Sequence, residues 1–195
     1  MSAPAFQAAL ARAVIDAGFA RAVAAGAYAP GLTPRERRRL AAAAGHPGLA
    51  LTRELHCGWR LGKVLTLLPL TARLLGDRLA GELIAFWKER PPRSLFFQED
   101  ALAFAARLAD RPCDDPYVAE VAGYERARLE LVHPNPAEPP PRVREVRFLH
   151  DAEIVMSRLA EGELLEGVPE RPSIVRGTWD GDGDPVWTVH AHGED

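Results

Sequence analysis

Five prolines fall within eight residues at 134–141, in the run Pro134-Asn135-Pro136-Ala137-Glu138-Pro139-Pro140-Pro141. Proline fixes its own φ and carries no backbone N–H. Such a run can be neither the interior of a helix nor a central strand. The sequence also changes character across it. Upstream, apolar residues recur at helical spacing; downstream, they alternate between tight, acidic turns. The chain therefore reads as a helical domain over residues 1–133, a proline-rich linker over 134–141, and a small C-terminal α/β domain over 142–195. The expected class is mainly α, a bundle of six or seven helices followed by a β-α-β-β unit.

Within the first part, Phe6, Leu10, Val14 and Ile15 predict one alanine-rich helix from Ala3 to about Ala25, ending near Gly26. Thr33-Pro34-Arg35-Glu36 has the form of a helix start, with a capping threonine, proline at the first helical position and Glu36 completing a capping box. That helix stops at Gly45. Ala50–Leu68 is strongly apolar and contains Trp59, and Pro69 kinks or restarts it. Asp77 is placed to cap a helix through Phe86 and Trp87, closed before Pro91-Pro92. Further helices are expected over about Glu99–Ala109 and from Pro116 to about Val132. No fixed repeat period is present, which favours a bundle over a repeat array.

In the tail, Val143, Val146 and Phe148 predict a strand, and Asp151 a cap for a helix over Ala152–Ala160. Ser173–Trp179 and Pro185–His190 are β-rich and flank the turn-forming Asp180-Gly181-Asp182-Gly183-Asp184, as in a hairpin. A unit of this size has little depth of core and is expected to pack on the helices.

Charge is unevenly spread. Residues 161–195 carry nine acids and two bases, while the whole chain has a net charge of −3, so residues 1–160 are net positive. An acidic tail on a mildly basic body suits a charged protein or peptide partner better than nucleic acid. The arginines at 35, 37, 38 and 39 read as a solvated helix face, because no aromatics interleave with them. Cys57 and Cys113 form no CxxC motif, which fits a reducing compartment, and Cys57 reads as a core thiol. Met1–Leu10 lacks the features of a signal peptide. Val64–Leu75 is too short and too interrupted to span a bilayer. A cytoplasmic protein without membrane contact is the expectation.

No catalytic constellation emerges. Asp180, Asp182 and Asp184 have the opening spacing of a calcium loop, but Pro185 and Ala191 stand where glycine and glutamate are required. His190 and His192 share a strand face but sit at the chain end. His56 and Cys57 are neighbours on a helix and do not face each other. Nucleophile-elbow, P-loop, zincin and dinucleotide fingerprints are absent. No metal or cofactor is expected in this chain. Trp179 and Trp187 bracket the hairpin, where tryptophan serves either as core packing or as a recognition anchor. With Val186 and Val189, they are the candidate peptide-binding residues on a strand edge open to β-augmentation. Trp59, Trp87, Phe96 and Phe97 are the candidate partner-binding residues.

The middle of the chain resembles a known family. The pattern comprises Leu68-Pro69-Leu70-Thr71, Leu74-Leu75-Gly76, the aromatic stretch Leu83–Trp87, then Pro91-Pro92-Arg93-Ser94. It continues with Phe104-Ala105-Ala106-Arg107-Leu108 and Val118–Ala127 with Tyr124-Glu125. Over roughly residues 50–130 this is similar to the HvfC/BufC-type (MbnC-like) partner proteins. The resemblance implies a helical domain with a small C-terminal α/β domain, and a heterodimer with a multinuclear non-haem iron-dependent oxidative enzyme. In such pairs the iron belongs to the enzyme. The partner helps dock the leader of a ribosomally made precursor peptide, whose cysteine or nearby residues are then modified. The tail here is shorter than in longer members. The same kind of helical domain has been described as DNA-binding, so a DNA-binding transcriptional regulator is the alternative.

Overall fold

The computed structural model describes residues 3–27, 30–90, 97–111, 115–133, 142–180 and 183–191. Eight helices precede the proline-rich segment among these residues. They are α1 (Ala3–Ile15), α2 (Ala17–Ala24), α3 (Pro34–Gly45), α4 (Pro47–Leu67), α5 (Pro69–Leu75), α6 (Arg78–Glu89), α7 (Phe97–Asp110) and α8 (Pro116–Val132). They are followed by β1 (Val143–Phe148), α9 (Ala152–Glu161), β2 (Ser173–Thr178) and β3 (Val186–Ala191). The mainly helical class with a β-α-β-β tail is as expected.

The helix count is higher than six or seven, in part because the expected first helix is two. Asp16 interrupts it: its backbone is extended and its carboxylate accepts the Phe19 N–H at 2.8 Å, capping α2. A short polar side chain competing for backbone donors starts a new helix here.

The chain divides into two compact units, residues 1–62 with 87–93, and residues 63–86 with 94–195. This division does not run along the 134–141 segment, which itself lies outside the described residues. In the first unit, Val23, Leu32 and Leu40 form a small core flanked by Phe6, Leu10 and Phe19. The Thr33–Glu36 capping box that opens α3 is formed in both directions.

The second unit is organised around α8, which packs against α7, α5, β1 and β2. That is why α8 is buried on several sides, at Val118, Val121, Ala122, Leu129 and Leu131. The sheet has the order β1-β2-β3, antiparallel throughout. Its inner face carries Val146, Val175 and Val189 in register, with Phe148 opposite Ser173 on the same face, and it shares one core with Val121 of α8 and Val155 and Leu159 of α9. Three short strands cannot make a core alone, so the tail is completed by the helices.

Two buried carboxylates of α8 join these layers. Glu125 accepts the backbone N–H groups of Leu70 and Thr71, each at 2.8 Å. These are orphan donors at the start of α5, whose N-cap Leu68 has no side-chain oxygen to offer. Burial pushes the Glu125 carboxyl above the usual range, against the pull of the Thr71 and Leu70 hydrogen bonds and of Arg128. Glu120 accepts the Leu149 N–H at 2.8 Å and sits 3.0 Å from His150 Nδ1. Both Glu120 and His150 are buried, so each supplies the other's polar partner.

Candidate functional site

Helix α4 is inside-out in the first unit. Leu51, Leu55 and Trp59 recur every four residues and so line one face. They are 58%, 66% and 55% exposed. The opposite face carries Arg53, His56 and Arg60, and it is the buried one: Arg60 is only 4% exposed. An ordinary surface helix turns its apolar stripe inward and its charges outward.

The inward polar groups are held by specific bonds. Arg53 donates through Nη2 to the Ala13 carbonyl at 2.8 Å, satisfying an acceptor near the end of α1. Arg60 donates through Nε to His56 Nδ1 at 3.2 Å. The His56 ring meets the Trp59 indole edge-on, with centroids 6.3 Å apart. Beside the outward stripe, the Cα positions of Gly58 and Gly62 face open space. Cys57, expected in the core, is exposed and free. The inversion of the helix is the reason, since the core side is taken by Arg53, His56 and Arg60.

Of the four candidate partner-binding residues, Trp59 lies on the exposed stripe. Trp87 is half-buried on the inner side of α4, lining a cleft with Arg53 and His56. Phe97 is half-buried at the start of α7, in the second unit. Phe96 lies outside the described residues. Sequence reasoning does not single out Leu51 and Leu55. The 3.6-residue period marks both faces of α4, but it does not say that the polar one turns inward.

The second surface is the sheet. Among the described residues β3 has β2 on one side and no strand on the other, which leaves an open edge. Of the four candidate peptide-binding residues, Val186 points outward and is 64% exposed. Trp187 and Val189 point inward and pack against the core of the second unit. The Trp187 ring meets Tyr124 edge-on, with centroids 4.8 Å apart, and burial pushes the Tyr124 hydroxyl above its ordinary pKa. Trp179 is half-buried and serves the hairpin: its Nε1–H donates to the Gly183 carbonyl at 3.1 Å and its backbone N–H to Arg142.

The outer face of the sheet is polar in its middle row, with Glu145, Arg176 and Thr188 in register. Among the described residues, no three or more His, Cys, Asp or Glu side chains are grouped to hold a metal ion. Asp182, His192 and Cys113 lie outside the described residues, so neither the aspartate loop nor the His190/His192 pair is described as a whole. No helix among the described residues is long and apolar enough to cross a membrane. The chain matches no protein-family model and no curated protein.

Proposed function

We propose that this chain is a non-catalytic partner subunit. It binds a multinuclear non-haem iron-dependent enzyme and helps bring it the leader of a ribosomally made precursor peptide, for modification of cysteine or nearby residues. The observation that carries the binding part is the inside-out α4. Leu51, Leu55 and Trp59 form a contiguous apolar stripe in water. Large exposed apolar patches on folded proteins mark interaction surfaces, and tryptophan is prominent among interface hot spots. The nature of the partner rests on the resemblance carried by residues 50–130.

The open edge of β3 supports the peptide part. An extended segment can add to such an edge through backbone hydrogen bonds, with side-chain pockets setting selectivity. Val186 is the candidate there whose side chain is free to meet a ligand. Trp187 and Val189 would act by holding the edge strand in place.

Co-expression with an iron enzyme encoded beside this gene, followed by size-exclusion chromatography, tests the reading. The expected result is one co-eluting complex, lost in Leu55→Lys and in Trp59→Ser while the helical circular dichroism spectrum is unchanged. Separate elution of the wild-type proteins at micromolar concentration would overturn it.

A further inference from the structure

The cleft between the C-terminal end of α1 and the inner side of α4 has hydrogen-bond donors in excess. It is open to solvent on one side, has a volume of about 50 Å³, enough for a carboxylate head group, and is lined by no acidic residue among the described residues. Arg53 uses Nη2 on the Ala13 carbonyl, but its Nε is shut off from solvent and meets no acceptor among the described residues. The Trp87 Nε1–H is in the same condition. His56 accepts from Arg60 at Nδ1, which puts the proton of the neutral ring on Nε2 and makes that nitrogen a third donor. The same cleft is also lined by the apolar side chains of Val14 and Ile15 from the end of α1.

Buried donors in folded proteins are almost always paired, and each unpaired one calls for an explanation. Here two of them border one cleft with net positive charge. We propose that the cleft binds a carboxylate carried on a small apolar body. The carboxylate brings two acceptor oxygens, and a small turn of the Arg53 side chain offers it Nε. A guanidinium matches the flat carboxylate in shape and charge, and a charge-assisted bond is stronger than one to a neutral acceptor. The apolar body lies on Val14, Ile15 and the indole. Two sources carry this chemistry, a free organic acid and the C-terminal carboxylate of a peptide.

The experiment is isothermal titration of the full chain. The probes are 3-phenylpropionate, the tripeptide acetyl-Ala-Val-Phe with a free C-terminus, and the amides of both. Saturable binding of either acid, with its amide at least about tenfold weaker, supports the site. Binding of the free acid alone identifies a small-molecule ligand, and binding of the tripeptide alone identifies a chain end. Arg53→Gln is expected to weaken binding at least about tenfold, and Trp87→Phe, which removes only the N–H, about threefold or more. Should Arg53→Gln fail to fold, Trp87→Phe decides. The proposal is overturned if neither acid binds at concentrations of about 10 mM. It is also overturned if acids and amides bind alike, or if the folded variants bind as well as the wild type.

Discussion

The indole of Trp187 rests directly on Gly177, the residue opposite it across the β2–β3 pair. A Cβ built at Gly177 would come within 2.5 Å of Trp187 Cη2 and Cζ3. Glycine is required here by the approach of a ring, not by a turn. Cross-strand cover of a glycine by an aromatic ring is a recognised way to pin register. It also gives Trp187 a role in the fold. The ring closes the inner face of the sheet against Tyr124 and α8.

Gly177→Ala is therefore expected to destabilise the second unit by about 1–3 kcal/mol, the usual penalty for overpacking. Urea unfolding followed by tryptophan fluorescence measures it. Unchanged stability would mean that the ring moves aside without cost. Trp187→Ala is expected to unfold or loosen the tail. Loss of peptide binding in that variant counts only if circular dichroism shows the sheet intact.

Glu125→Ala should cost about 3 kcal/mol, because it strands the N–H groups of Leu70 and Thr71 at the start of a helix with no cap of its own. Glu125→Gln keeps one acceptor oxygen and should cost less. Because burial raises this carboxyl in the folded state, the folded chain holds its proton to higher pH than the unfolded chain does. Its contribution to stability is greatest at low pH. It declines as pH rises from the ordinary carboxylate range to the raised one. The difference between wild type and Glu125→Gln, followed by urea unfolding across that window, should slope accordingly.

Glu130 gives the opposite sign. Burial alone would raise it, but hydrogen bonds from Arg126 and Arg144, at 2.8 and 2.6 Å, hold it below the usual range in sum. The Arg144 bond ties α8 to β1, while the Arg126 bond lies within α8. Their contribution is fully present above the unfolded carboxylate pKa and is lost as pH falls through the lowered folded value. Glu130→Gln should flatten the acid side of the stability profile, and high salt should shrink the difference. An unaltered acid limb would show that the bridge contributes nothing.

How far the sequence could be read follows from which forces were local. The capping box at Thr33–Glu36, the proline at the start of α8, the Asp151 cap of α9 and the alternation in β2 and β3 each involve residues a few positions apart, and each is found where expected. Asp16 was equally local, but its alanine-rich surroundings concealed it, since alanine favours continuing the helix. That the tail packs on the helices was legible from its small size, but which helices it joins was not. That choice depends on Val121, Phe148 and Val155 meeting across long sequence separations. Nor was Glu125, whose partners lie 55 and 54 residues away. The candidate surfaces were half legible. Composition marked Trp59 and Trp187, but only packing shows that one faces water and the other the core.

The outer side of α4 offers one more test. Gly58 and Gly62 stand in the interior of an exposed helix, where glycine costs roughly 0.5–1 kcal/mol relative to alanine. A Cβ at either would meet nothing within 4 Å, so nothing in the structure requires their smallness. Gly58→Ala and Gly62→Ala should each raise stability by about that amount, seen as a higher unfolding midpoint. If the outward stripe is a docking face, the two glycines are where another backbone or a large side chain comes close. The double variant should then be more stable and yet bind its enzyme partner more weakly. A gain in stability with undiminished complex formation would mean that the partner does not reach this part of α4. A loss of stability would show that the space beside the glycines is filled within the chain itself.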